Sequence, residues 1–207
     1  RAVLLPATVA LIAILAAFVS LFFLLNWGFF SQISGLIASG DGPQTDQQTG
    51  QLVAGMFGLM GLSVLFMFPI YLAFAAYEAA CLRWMIRGEA PGLFGLTLDH
   101  DTWRVYGVYW CWFLGYMVIG TIVSMLAIPF TMMSMGNIMT DPTPDPYEMM
   151  RWQFSVQLPI MIAQYVPMIF FGVRFGPAAA TSVARQRFSF FEAWTVTRGR
   201  FWPLIGT

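Results

Sequence analysis

The sequence is short of charge, of histidine and of cysteine, and each shortage closes off a class of function. Only 10% of its 207 residues are charged, whereas an ordinary soluble domain carries about 25%. That deficit argues for a membrane protein. A single histidine, His100, cannot supply the paired axial ligands of a b-type haem, and it excludes catalytic triads and zinc sites built on several histidines. Beside Asp99 and Asp101 at a predicted helix start, it reads as a solvated capping residue. The two cysteines, Cys81 and Cys111, map to the same end of their spans and read as small packing hydrophobes rather than a disulfide. There is no Walker sequence and no glycine-rich dinucleotide fingerprint. The sequence thus assigns no catalytic residue, no cofactor and no metal site, and the protein is expected not to be an enzyme.

What the chain has is apolar length. Hydrophobic residues reach 58% and the mean hydropathy is +0.70. Uncharged runs cover residues 2–40, 47–77, 105–140 and 152–173, each longer than the roughly 20 apolar residues that cross a bilayer as a helix. Spans are expected at 3–29, 52–77, 105–130 and 153–174. A transmembrane barrel would show alternating segments of about ten residues; these runs are continuous. The predicted fold is therefore all-α, a polytopic transmembrane helical bundle of about four spans with cytoplasmic interfacial helices, forming one transmembrane domain over 1–207. The first run exceeds the roughly 7 to 15 apolar residues of a signal-peptide core, so it reads as a span. At the other end "FWPLIGT" begins another apolar segment, the expected start of a further span.

All ten basic residues are arginines, and their placement sets orientation because positive charge is retained on the cytoplasmic side. Loop 31–51 has none and loop 134–152 has only Arg151. The other nine fall at Arg1, around the turn between spans 2 and 3, and after span 4. The N-terminus, segment 83–104 and segment 176–202 are therefore expected in the cytoplasm, with loops 31–51 and 134–152 outside.

Two of these cytoplasmic segments share a pattern. "RQRFSFFEAWTVTRGRFW" holds a Ser189-x-x-Glu192 capping box, predicting a helix from near Phe190 to Trp202. Phe190, Trp194 and Phe201 lie on its apolar stripe, the design of a helix lying in the bilayer interface. The stretch after span 2 repeats the order: a basic turn, a Pro/Gly break, acidic residues Asp99 and Asp101, then aromatic rings. A shift of 99 residues superposes Ala79 and Ala80 on Ala178 and Ala179, Trp103 on Trp202, and Gly107 on Gly206. This is a weak two-fold hairpin repeat, for which shared interfacial composition is the simpler account. Residues expected at the interface or against lipid are Trp84, Arg87, Trp103, Arg104, Arg185, Arg187, Trp194, Arg198, Arg200 and Trp202. Nucleic acid is not an expected partner, because net charge is zero and every basic residue borders a span.

The run from Arg174-Phe175-Gly176-Pro177-Ala178-Ala179, through Phe191-Glu192-Ala193-Trp194, to Thr197-Arg198-Gly199-Arg200-Phe201-Trp202 resembles a signature of bacterial multi-pass inner-membrane proteins. These are similar to the membrane domain attached to some glycerophosphoryl diester phosphodiesterases. The stretch from "LRWMIRGE" to "WRVYGV" resembles their central part. The resemblance implies an integral protein of the bacterial inner membrane with no established activity, and the phosphodiesterase's soluble catalytic domain, the one defined enzymatic role it could supply, is not in this sequence.

Three features carry a functional reading beside a plainer one. Glu78 is an acidic residue near the embedded part of a span, the usual mark of a proton or cation site. Its shallow depth, five residues before Arg83, favours an ion pair with a neighbouring helix, for which Arg174 is the expected partner. Pro69, Pro129, Pro159 and Pro167, with Gln157 and Gln164 on one face, could mark the broken helices of a transport site, but prolines are common in such helices and glutamines bond across interfaces. Met132, Met133, Met135 and Met139 could hold Cu(I), yet adaptable packing is the simpler account. The acidic loop with Asp141, Asp145 and Glu148 reads as a solvated, proline-extended segment. The resulting expectation is a non-enzymatic accessory, scaffold or assembly subunit of a larger membrane complex, with lipids and other integral membrane proteins as partners. The alternative is a small-solute or lipid transporter.

Overall fold

The computed structural model describes residues 4–39, 46–89, 92, 96–139 and 146–199. Among them the chain is all-α, with no strand: α1 (Leu4–Leu25), α2 (Trp27–Ser39), α3 (Asp46–Arg87), α4 (His100–Met139), α5 (Pro146–Phe175), α6 (Ala178–Ala184) and α7 (Glu192–Val196). Four stretches, Leu5–Leu25, Gln47–Arg87, His100–Met133 and Phe154–Ala184, are long and apolar enough to cross a membrane. The protein is a multi-pass membrane protein. The cause is the cost of leaving peptide groups unpaired in hydrocarbon, which a helix avoids by bonding all of them within one segment.

The helices overrun the expected spans. α3 has 42 residues and α4 has 40, so α3 is about 63 Å long at ~1.5 Å per residue, against a hydrocarbon core of about 30 Å. Its first turns carry Asp46, Gln47 and Gln48 and its last carries Arg87, so both ends are built for water or headgroups. The expected loop 31–51 is mostly helix. α1 and α2 meet at Asn26 alone, whose N–H still reaches the Phe22 carbonyl (3.1 Å) while its side-chain amide donates to the same oxygen (2.8 Å). Ser31 and Ser34 then donate their hydroxyl protons to the carbonyls of Gly28 and Ser31, so these polar side chains are satisfied within the helix. The expected loop 134–152 likewise shrinks, because α4 continues to Met139 and α5 opens at Pro146, a favoured first helical position for proline.

The intrahelical prolines do not break the spans. Pro69, Pro129, Pro159 and Pro167 all lie within continuous helices, so the broken-helix premise for a transport site does not hold.

The contacts divide the chain into two compact units, 1–106 and 107–207. In the first, α1 packs along α3, with Phe18 and Phe22 edge-on to Phe66 and the Thr8 hydroxyl 3.1 Å from that of Tyr77. Its buried residues include a stripe of Ala75, Ala76, Ala79 and Ala80, small side chains that let helices approach closely, continued by Arg83. In the second, α6 and α7 fold back on the end of α5, burying Ala178, Ala179, Ser182, Val183, Phe190 and Ala193. At the 99-residue offset the buried pairs Ala79/Ala178 and Ala80/Ala179 coincide, and Arg83 falls on the equally buried Ser182.

α3 ends at Gly88, whose N–H bonds the Trp84 carbonyl (3.0 Å) with φ +70°. That left-handed conformation suits glycine at a helix C-terminus. Open space surrounds the position, so Gly88→Ala should act through backbone strain alone. We expect a loss of about 1 kcal/mol, read as a thermal midpoint lower by roughly 2–4 °C in detergent. An unchanged midpoint would mean that the turn does not need the left-handed residue.

Candidate functional site

The most organised polar chemistry in the first unit lies where α3 ends and α4 begins. Asp99 caps α4: its Oδ1 accepts from the Thr102 N–H at 3.1 Å, and the Thr102 hydroxyl donates to the Thr97 carbonyl at 2.6 Å. Asp99 Oδ2 receives the Thr97 hydroxyl (3.2 Å) and the Arg83 guanidinium. Arg83 is 1% exposed while Asp99 is 39% exposed, so the cation is the deeper partner. A second carboxylate, Asp101, is held by Arg87 and, at 2.5 Å, by Arg104; Arg87 also reaches Glu89 at 3.4 Å. Within this network of three arginines and three carboxylates, the pairs Arg83–Asp99 and Arg87–Asp101 tie the end of α3 to the start of α4. Acidic groups at a helix N-terminus are additionally favoured by its dipole. Arg83 Nε and Nη2 are buried with no hydrogen-bond partner among the described residues, so Asp99 is its hydrogen-bonded counter-charge there, with Asp101 and Glu89 adding attraction from further away.

The second unit uses aromatic packing for the same junction. The Arg174 guanidinium sits 5.0 Å from the Trp194 ring centre and 5.7 Å from that of Phe170, and donates to the Thr197 carbonyl at 3.1 Å. The Thr197 hydroxyl lies 3.2 Å from the Arg174 carbonyl in return. Phe175 stacks on Phe190 at 4.6 Å, with Trp112 edge-on to both. Ser182 accepts from the Ser189 N–H at 3.1 Å. The result is a plug of rings clamping α7 against the end of α5.

Several expectations need correction. The interfacial helix expected over 190–202 is only Glu192–Val196 among the described residues, followed by a turn in which Gly199 has φ +80°. The capping box does not form: Ser189 is buried with its N–H on Ser182, and Glu192 binds Arg185 and Arg187 instead of reaching back. Two guanidiniums outcompete one backbone N–H for a carboxylate. The cap of α4 is Asp99, not His100, which is exposed.

The remaining expected residues are placed as follows. Trp84 is half-buried on α3, and Trp103 is 52% exposed beside Tyr106. Arg87 and Arg104 are three-quarters buried or more in the Asp101 network, whereas Arg185 and Arg187 are exposed around Glu192, and Arg198 is exposed. Arg200, Phe201 and Trp202, like Asp141 and Asp145, lie outside the described residues. Glu78 is half-buried in the first unit and Arg174 belongs to the second. Sequence reasoning named the arginines but missed their partners. The oppositely charged pairs flanking the Pro/Gly break, Arg83 and Arg87 before it and Asp99 and Asp101 after it, carried that signal. Thr197 left none.

Two cavities of about 310 Å³ each lie beside intrahelical prolines. One is lined by Ile14, Phe18, Pro69, Leu72, Ala76 and Thr97 among others, the other by Val123, Leu126, Ala127, Phe130, Pro159 and Ile160 with Ala163. Both are apolar, Thr97 apart. No family model, curated protein or solved structure matches the chain.

The Arg83–Asp99 pair makes a sharp energetic prediction. Removing one partner of a buried ion pair strands the other charge and costs about 3–5 kcal/mol; the half-open carboxylate here moves Asp99→Ala to the low end, near 3 kcal/mol. Arg83→Met combined with Asp99→Asn should recover a substantial part, since Asn still caps the helix. Thermal melts of the wild type and the two variants in detergent check this. If the double variant is no more stable than Asp99→Ala, Arg83 is not held by that carboxylate.

Proposed function

We propose that this protein is a non-enzymatic accessory, scaffold or assembly subunit of a larger membrane complex, which works through its helix faces. The observation that carries the reading is where the chain spends its burial. Within the four membrane-crossing stretches only 6, 11, 0 and 6% of the most apolar window is buried, whereas the bonded polar groups concentrate at the arginine-bearing helix ends. Long apolar faces are thus presented outward by helices whose ends are rigidly joined, an arrangement suited to packing against other spans through van der Waals contact. A solute transporter would call for a polar cavity at mid-membrane, and the cavities beside Pro69 and Pro159 are apolar.

The arginine distribution favours an orientation with the N-terminus and the segments 83–104 and 176–202 in the cytoplasm, and the proposed location is the bacterial inner membrane. The sequence resemblance to phosphodiesterase membrane domains supports the same location. In this orientation the exposed Arg185, Arg187 and Arg198 meet anionic headgroups, each charge near the surface contributing about 1 kcal/mol.

Two measurements test the proposal. In a background lacking Cys81 and Cys111, Gln47→Cys should react with an impermeant thiol reagent from the periplasm, and Ala184→Cys only after permeabilisation; the reverse pattern overturns the orientation. Photo-crosslinking residues at the exposed positions Leu65 and Leu126, introduced in native membranes, should capture other integral membrane proteins. Capture of lipid alone, together with solute uptake by proteoliposomes, would instead establish the transporter.

A further inference from the structure

α5 carries a second pattern that packing within the chain uses only at Gln164, among the described residues. Met150, Phe154, Gln157, Met161, Gln164 and Met168 follow one another at steps of 4, 3, 4, 3 and 4 residues, the spacing of an unbroken heptad seam. Phe154, Met161 and Met168 take the a positions; Met150, Gln157 and Gln164 take the d positions. The seam faces outward: Met150 is 52% exposed, Phe154 64% and Met161 45%, Gln157 is exposed, and Gln164 and Met168 are half-exposed.

The glutamines decide what can cover it. Gln164 stands near the middle of the expected span, and Gln157 about 10 Å further along at ~1.5 Å per residue, so both amides lie at hydrocarbon depth. Gln157 has no hydrogen-bond partner among the described residues. Gln164 uses one N–H on the Tyr116 hydroxyl (3.2 Å), which leaves its carbonyl and second N–H for another group. Acyl chains offer neither donor nor acceptor, so lipid cannot satisfy these amides. A carboxamide is self-complementary, each supplying both what its counterpart gives and what it takes. Copies of one chain inserted with one topology are related by an axis along the bilayer normal, so α5 meets itself in parallel and each d residue faces its own counterpart.

We infer that this face of α5 is a self-association surface: a second copy of the chain packs along it as a left-handed parallel pair, with Gln157 bonded to Gln157 and Gln164 to Gln164 across the two-fold axis. Phe154, Met161 and Met168 pack between these rungs, thioethers filling the irregular gaps. The inference goes beyond the scaffold proposal and needs only that α5 crosses the bilayer.

The test uses the full chain in native membranes, with Cys81 and Cys111 replaced by alanine and single cysteines introduced. Met161→Cys and Met168→Cys should form disulfide-linked dimers on mild oxidation. Ile162→Cys and Val166→Cys, exposed on other faces of the same helix at the same depth, should not. In mild detergent the protein should run at twice its 23.2 kDa chain mass. Gln157→Leu, which breaks no side-chain bond among the described residues, should raise the dimer dissociation constant about threefold to tenfold, as expected for one interhelical side-chain bond. Three outcomes would overturn the inference: a monomer with no seam-specific cross-link, equal cross-linking from every face, or linkage only to a different protein. Failure here with heterologous partners still captured at Leu65 and Leu126 would leave the scaffold proposal standing.

Discussion

Peptide groups cannot be left unpaired in hydrocarbon, and most of what is seen in this chain follows from that constraint. It makes the embedded backbone helical and makes the helices long. It also makes hydroxyls turn inward: Ser63, Thr121 and Thr131 each give their proton to a carbonyl three or four residues earlier in the same helix. Side chains that would cap or break a helix in water are absorbed into it here. The prolines follow the same logic, since one missing N–H in a helix of 30 to 42 residues removes a single bond.

Where the constraint relaxes, at the helix ends, the chain changes its means of cohesion. The two units solve the same problem with different chemistry. One closes the junction with ion pairs between α3 and the start of α4, the other with rings and a threonine clamp between α5 and α7. Both place an arginine at the centre, Arg83 in one and Arg174 in the other. Arginine suits the role because its planar fork donates to a carboxylate or a carbonyl at its edge and stacks against an aromatic ring at its face.

How much of this was readable beforehand depended on the range of the interaction. Four spans and the all-α class came from runs of apolar residues, a property of the sequence taken by itself. The start of α4 was also readable, because Asp99 acts on the backbone beside it. Extent was misjudged where polar residues are satisfied within the helix: Ser31 and Ser34 look like loop residues until their carbonyl partners are known. The capping box failed for the opposite reason. Ser189 and Glu192 have the right spacing, but Ser182, Arg185 and Arg187 compete for them once the chain folds back. Local motifs were thus trustworthy where nothing distant competed. The Arg174–Thr197 contact spans 23 residues and had no local trace.

The length of α3 has a mechanical consequence. Ala75, Ala79, Ala80 and Arg83 anchor the helix near one end, while its first turns, around Gln47 to Gln51, are exposed and line an open cleft with α2. Such a rod is a lever with its fulcrum off centre. A tilt of about 10° sweeps the far end sideways by roughly 11 Å over a length of about 63 Å, while the anchored end barely moves. Small rearrangements among the buried alanines on one side of the membrane would thus be magnified into displacements the width of a helix on the other.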